Sequence, residues 1–179
     1  MKDKNTICSN KYCGISYSDM IVRLYEKPRR VILLRCISSG AVIAVALLFA
    51  LRLILSALSV GYVYAMELAA VAAVPFVAVS VLRKIINAPR PYELIGDFPH
   101  RPKNKSGESF PSRHTFSAFL IATLLLPWSV AVGASLYAVG ALLAVARVLL
   151  GIHFVRDVTA GAAVGIISGI IGIIIMNLI

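Results

Sequence analysis

The segment RVLLGIHFVRD, residues 147–157, places ionisable side chains between two long apolar stretches of the sequence. Charged groups beside hydrocarbon are costly, so they are usually retained for a function. His153 and Asp157 are four residues apart and would share one face of a helix, where Asp157 can accept a hydrogen bond from a ring nitrogen. That bond would fix the tautomer of His153 and make its other nitrogen a better nucleophile. Arg147 is in poor helical register with His153, and Gly151 predicts a break between two helices.

Two further polar segments carry residues suited to binding an anion: RKIINAPRP (83–91) and SFPSRHTF (109–116). Arginine bonds phosphate oxygens through a planar fork, and several arginines together can hold a dianion. Ser112 is predicted to cap a helix that has His114 in its first turn, so free backbone N–H groups would face the anion. The candidate anion ligands are Arg83, Lys84, Arg90, Ser112, Arg113 and Arg147.

A purely structural explanation exists for some of these residues. Arginine and lysine at helix ends often reach back to lipid headgroups, which is the expectation for Arg156 and an alternative for Lys84. His100 is expected to be an ordinary loop residue. The coincidence of two histidines, an aspartate and arginines in three segments favours a phosphate-handling site.

The elements that must position these residues are membrane helices. The chain has 59% hydrophobic and 15% charged residues with a mean hydropathy of +0.87, whereas soluble domains carry about 25% charged residues. We expect an all-α polytopic bundle with about five spans in a single domain (31–179), preceded by a polar to amphipathic segment (1–30) with a surface helix. The predicted spans lie within residues 31–58, 61–82, 114–128, 129–146 and 158–179. The last has glycines at small-xxx-small spacing, which favours close helix packing.

The charge distribution predicts orientation and partners. The chain has 18 Lys+Arg against 8 Asp+Glu, a formal charge of +10, and the basic residues are confined to particular segments. This favours lipid headgroups and an anionic substrate over nucleic acid. The N-terminal segment and the three polar segments are expected on one face, which the positive-inside rule makes cytoplasmic. The three cysteines (Cys8, Cys13 and Cys36) predict neither a disulfide nor a metal site, and no signal peptide is recognisable.

The three segments resemble the signature of the phosphatidic acid phosphatase type 2 superfamily, which includes bacterial acid phosphatases and vanadium haloperoxidases. That signature reads KxxxxxxRP, PSGH and SRxxxxxHxxxD, and this chain offers RKIINAPRP, PSRH and ARVLLGIHFVRD. It departs at three positions: Arg83 stands where the family has lysine, Arg113 replaces the glycine, and Ala146 replaces the serine. Whether Arg83 or Lys84 takes the role of the lysine is left open by the sequence.

The resemblance implies a metal-independent, cofactor-free phosphatase in a bacterial-type inner membrane. His153 would attack phosphorus to form a phosphohistidine, oriented by Asp157, and His114 would protonate the leaving oxygen. The basic residues and Ser112 would bind the phosphate oxygens. The substrate would be a lipid phosphate monoester or a polyprenyl phosphate or diphosphate. The alternatives are a lipid-phosphate binding or transport protein without catalysis, and a vanadate-holding haloperoxidase. The oligomeric state is left open.

Overall fold

The computed structural model describes residues 15–94 and 106–178, and this part of the chain is all helical. Its helices are α1 (Ile15–Tyr25), α2 (Pro28–Ser59), α3 (Tyr62–Ile86), α4 (Pro91–Leu94), α5 (Arg113–Leu125), α6 (Val130–Leu149) and α7 (Val155–Leu178). The predicted all-α bundle with an N-terminal helix is therefore confirmed. The expectations for Cys8, Cys13, His100 and a signal peptide fall outside the described residues.

Within the described residues, four helical segments are long and apolar enough to cross a membrane, and they contain α2, α3, α6 and α7. Their outward surfaces carry large exposed apolar side chains such as Leu47, Val74 and Ile174. Such surfaces are stable against hydrocarbon and not against water. The protein is a multi-pass membrane protein.

The third predicted span, residues 114–128, differs from the other four. Its helix α5 has 13 residues, which at 1.5 Å per residue gives about 20 Å, short of the roughly 30 Å of a bilayer core. Yet α5 is the most enclosed of these helices: Phe116, Leu120, Ala122 and Leu125 are almost completely buried. The surrounding helices keep α5 out of the lipid, so the bilayer thickness does not fix its length.

The position of α5 along the bundle shows at which of its two ends the short helix stops inside the bundle. The turn after α5 places Trp128 in a cavity with Arg52, near the end of α2, and Tyr64, near the start of α3. The guanidinium of Arg52 lies 5.2 Å from the Trp128 ring and 5.7 Å from the Tyr64 ring. The end of α5 therefore reaches the far end of the bundle, and its start must lie inside the bundle, below the end of α3.

Glycines of α7 allow α5 to approach closely, as the small-xxx-small spacing predicted. A Cβ at Gly161 would lie 2.6 Å from the carbonyl oxygen of Ser112, and a Cβ at Gly165 would lie 2.5 Å from that of Phe116. Real Cβ atoms do not approach backbone oxygen this closely. Close packing also allows the Ser112 N–H to donate to the Asp157 carbonyl at 2.8 Å. The glycines therefore set the start of α5 beside the start of α7.

Helix α1 lies across the end of the bundle that carries the polar segments. The Tyr17 hydroxyl donates to the Val148 carbonyl at 2.9 Å, and the Tyr25 hydroxyl donates to the Leu150 carbonyl at 3.1 Å. Ile21 is completely buried and packs with Tyr92, which follows α3. The predicted surface helix is therefore also a support for the turn between α6 and α7.

Candidate active site

A cavity of about 310 Å³ lies where the start of α5 meets the ends of α3 and α6 and the turn before α7. Its lining residues are Arg83, Arg90, Ser106, Glu108, Arg113, His114, Arg147 and His153. The structure therefore brings together the three sequence segments that topology predicted would share one face. Four guanidinium groups against one carboxylate make the cavity an anion site.

His153 enters this cavity from the turn between α6 and α7. Gly151 has φ +64°, a left-handed conformation that favours glycine, so the helix ends there as predicted. The N–H groups of Ile152 and His153 both donate to the Arg147 carbonyl, at 3.1 and 3.3 Å. His153 is 1% exposed. The turn thus holds the imidazole with little freedom to move.

The contact between His153 and Asp157 differs from the prediction. Because α7 begins at Val155, His153 lies outside the helix, and its Nδ1 is 3.6 Å from Asp157 Oδ2. That distance is too long for a good hydrogen bond. Ser109 lies between them: its hydroxyl donates to Asp157 Oδ2 at 2.5 Å, and its Oγ is 3.3 Å from Nδ1. In a chain of hydrogen bonds through these groups, the His153 Nδ1–H donates to Ser109 Oγ and the Ser109 hydroxyl donates to Asp157 Oδ2.

Asp157 is held by further contacts in this buried corner. Its Oδ2 accepts from the Phe154 N–H at 3.0 Å, and its Oδ1 lies 3.5 Å from Nε of Arg156. Arg156 was expected to be only a membrane anchor, but its side chain also pairs with this carboxylate. Asp157 itself is fully buried. A carboxylate fixed in this way can stabilise positive charge that develops on the His153 ring.

Arg83, rather than Lys84, lines the cavity. Arg83 is buried and donates to the carbonyl oxygens of Pro111, at 2.9 Å, and Glu108. Lys84 is exposed and is not among the lining residues. Arg90 donates through Nε to the Gly107 carbonyl at 2.8 Å. Both arginines therefore hold the segment before α5 in place, and both line the cavity.

The start of α5 supplies two of the lining side chains. The helix begins after Ser112, as predicted, but the Ser112 hydroxyl makes no capping bond and lies 3.1 Å from the Thr115 hydroxyl. Ser112 is completely buried and is not among the lining residues. Arg113 and His114 do line the cavity. The Arg113 side chain thus lines the site, at the position where the family signature described above has glycine.

The electrostatics of the cavity favour a neutral histidine and a bound anion. Burial lowers the pKa of His153, and the positive charges of Arg90 and Arg83 lower it further, against the opposing effect of Asp157. Nε of Arg147 is buried and has no hydrogen-bond partner among the described residues. A buried donor without a partner costs about 1–3 kcal/mol. An anion in the cavity would remove that cost.

Comparison with known proteins agrees with this architecture. The model of the PAP2 superfamily matches residues 56–178. The chain belongs to the PAP2 superfamily. A stretch of 86 residues is 37% identical to a lipid A 1-phosphatase of Porphyromonas gingivalis, covering 44% of this chain and 19% of that protein. This chain therefore spans only a part of that relative.

Two solved structures share the fold. The crystal structure of Aquifex aeolicus LpxE superposes with a TM-score of 0.66 and 28% identity, over 87% of this chain and 93% of that one. A PAP2-type phosphatidylglycerolphosphate phosphatase of Bacillus subtilis gives a TM-score of 0.67 and 20% identity, over 92% and 86%. The second likeness shows the fold alone. Membership of this superfamily supports a membrane lipid phosphatase.

Sequence reasoning missed Ser109. It lies in the polar segment 109–116 that was singled out, three residues before Ser112. Its two partners, however, are 44 and 48 residues further along the chain, and neither lies at a helical spacing from it. The only indication of Ser109 in the sequence was a hydroxyl side chain within the segment 109–116, which was singled out for its charged residues.

Proposed function

We propose that this protein is a membrane phosphatase that hydrolyses a lipid phosphate monoester, or a polyprenyl phosphate or diphosphate, without a metal ion. The observation that carries the proposal is His153 in a cavity lined by four arginines, with its Nδ1 linked to Asp157 through the hydroxyl of Ser109. Binding a phosphate needs only the arginines. In a reaction, the buried chain behind His153 would stabilise the positive charge that the imidazole gains.

In the proposed reaction, Nε2 of His153 attacks phosphorus and the leaving oxygen departs from the opposite side. The resulting phosphohistidine is hydrolysed by water, which releases orthophosphate and returns the free ring. His114, at the opening of α5, is assigned the proton transfers to the leaving oxygen and from the water. Burial and the charge of Arg147 lower its pKa to about 3 in the empty cavity, so in this proposal His114 takes up its proton together with the phosphate anion. The arginines offset charge on the equatorial oxygens of the transferred group.

The lipid character of the substrate is supported by the relatives and by the recess of the cavity. LpxE and the Porphyromonas protein are the relatives of highest identity described above, and the latter is named for a lipid substrate. Because α5 starts inside the bundle, a phosphate bound there lies close to the hydrocarbon boundary. A headgroup with its chains in the bilayer would reach such a site by lateral diffusion.

The test is phosphate release by the purified protein in detergent, with phosphatidate, phosphatidylglycerophosphate and undecaprenyl diphosphate compared in the presence of EDTA. We expect turnover of at least one lipid, and inhibition by orthovanadate, which mimics the transferred phosphate. His153→Ala should abolish turnover while the matched surface variant Thr159→Ala retains it. Samples of the wild type quenched in alkaline detergent after mixing with substrate radiolabelled in the transferred phosphate should carry label that is stable to base and lost in acid. Strict dependence on an added divalent metal, or full activity of His153→Ala, would contradict the mechanism.

We further propose that the site faces the cytoplasm across a bacterial-type inner membrane, as the basic N-terminal segment suggests. A cysteine at Asn104, introduced into a cysteine-free background, reports this. Asn104 lies outside the described residues, in the part of the sequence between α4 and α5. It should be protected from a membrane-impermeant thiol reagent in intact cells and react after permeabilisation. Labelling of intact cells would place the site on the outer face.

A further inference from the structure

A second, apolar cavity adjoins the anion site. It has a volume of about 230 Å³ and lies among α2, α3, α5 and α6. Its apolar lining residues are Val42, Val45, Ala46, Phe76, Ala118, Ile121 and Leu143. Two residues line both this cavity and the anion site: Arg113 and His114. His153 lines only the anion site.

Because Arg113 and His114 line both cavities, the order of chemical groups along a bound lipid follows. The apolar cavity suits a hydrocarbon chain, the histidine nucleophile lies in the anion site, and Arg113 and His114 lie between the two. An in-line displacement places the leaving oxygen on the side of phosphorus opposite Nε2 of His153. With the chain in the apolar cavity, the leaving oxygen faces Arg113 and His114.

Arg113 is held at this junction by an aromatic ring. Its guanidinium carbon lies 5.5 Å from the centre of the Phe76 ring on α3, within the range of a cation–π contact. Phe76 itself lines the apolar cavity. The contact places the Arg113 guanidinium where a charged group would emerge from the chain-binding cavity. The family signature has glycine here, so this cation is an addition of the present chain.

We propose that Arg113 selects the leaving group, and that the preferred substrate is a lipid diphosphate rather than a lipid monophosphate. This inference rests on the proposed function. The bond between Nε2 of His153 and the terminal phosphorus forms as the bond from that phosphorus to the bridging oxygen breaks. The bridging oxygen leaves with its electron pair on a lipid monophosphate, whose negative charge Arg113 binds. A monophosphate ester would instead release an alcohol, which offers Arg113 no charge.

Farnesyl diphosphate and farnesyl monophosphate test this, because they share one chain and differ only in the second phosphate. The variant is Arg113→Gln, and the matched control is Arg29→Gln, which removes one positive charge at the exposed start of α2. A charge-assisted hydrogen bond of about 1.5–3 kcal/mol corresponds to roughly 10- to 150-fold. We expect Arg113→Gln to lower kcat/KM for the diphosphate by at least tenfold more than for the monophosphate. Arg29→Gln should lower neither.

Phe76→Leu provides a second measurement, since it keeps the charge and loses only the ring that holds it. We expect the same direction of change with a smaller, about two- to fivefold, loss on the diphosphate. Equal losses on both substrates, or a wild type that prefers the monophosphate, would overturn the assignment while leaving the proposed function intact. Failure of the wild type to release phosphate from either substrate, or from the lipids above, would overturn the proposed function as well.

Discussion

Removing the Ser109 hydroxyl is the most direct test of the hydrogen-bonded chain between Asp157 and His153. Its hydroxyl links Asp157 Oδ2 at 2.5 Å to His153 Nδ1 at 3.3 Å, and the direct distance between those two residues is 3.6 Å. Ser109→Ala therefore interrupts the chain while leaving the nucleophile and the carboxylate in place. The Phe154 N–H still holds Oδ2, at 3.0 Å, so the carboxylate keeps its position.

The size of the effect follows from these contacts. A hydrogen bond to a charged group contributes about 1.5–3 kcal/mol, and each 1.36 kcal/mol is tenfold in rate. The chain stabilises the ring mainly after it has gained positive charge, so the loss should fall on kcat. We expect Ser109→Ala to lower kcat for a lipid phosphate by roughly 10- to 150-fold with little change in KM.

A double-mutant cycle with Asp157→Asn separates this role from a general packing effect. If Ser109 acts only through Asp157, the double variant should be no slower than Asp157→Asn alone. The assay is kcat and KM in detergent, with thermal unfolding of each variant to exclude misfolding. Additive losses in the cycle, or a kcat of Ser109→Ala within twofold of the wild type, would refute the hydrogen-bonded chain.

Three further predictions follow from the geometry. Arg83→Lys should lower kcat/KM about tenfold, because an ammonium cannot donate to both loop carbonyls and also bind phosphate in the cavity. Lys84 is exposed, so Lys84→Ala should change kcat/KM less than twofold. The reverse pattern would give Lys84 the role of the family lysine. Gly165→Ala should lower the free energy of unfolding by about 1–3 kcal/mol, because its Cβ would overlap the Phe116 carbonyl. The matched control is Gly40→Ala, whose Cβ meets nothing within 4 Å and should not lower it. Equal melting temperatures of the two variants would contradict the close packing of α5 and α7. Burial lowers the pKa of His153, so the imidazole becomes neutral at a lower pH than an ordinary histidine. In a pH profile of kcat/KM, the acid limb should therefore have its midpoint below about pH 6.5. A midpoint above that pH would mean that the ring is stabilised in its charged form.

The positions of the long helices could be predicted from sequence because the bilayer imposes one rule on them. Apolar runs of sufficient length must form helices that cross it, since backbone groups have no other partner in hydrocarbon. The predicted 129–146 and 158–179 therefore correspond to α6 and α7, with ends shifted by one to three residues. The short predicted span 114–128 corresponds to α5 with shifts of the same size, but hydropathy could not show that other helices, rather than lipid, surround it.

The site was predictable in its residue types and less so in its contacts. Arg147, His114 and His153 line one cavity as the three segments indicated. The helical spacing of His153 and Asp157 suggested a direct bond. With α7 starting at Val155, the two side chains instead lie 3.6 Å apart as an ion pair, and Ser109 bridges them. Whether a helix begins before or after a residue depends on packing from other segments, and so does the arrival of Ser109 between the two side chains. Contacts over more than forty residues leave no periodic mark in the sequence.

The short helix and the arginine cluster have one physical origin. Starting α5 inside the bundle leaves an empty volume beneath the ends of α3 and α6, and arginines from both helices extend into it. Backbone carbonyls satisfy part of Arg83 and Arg90, but no carboxylate within the described residues forms an ion pair with either of them or with Arg147. Concentrating like charges near hydrocarbon is unfavourable in the empty protein. We expect a phosphate that enters the cavity to relieve this arrangement, because its oxygens carry the negative charge that these arginines lack as a partner. The same recess that shortens α5 thus directs binding energy to the transferred group, which is where a phosphatase needs it.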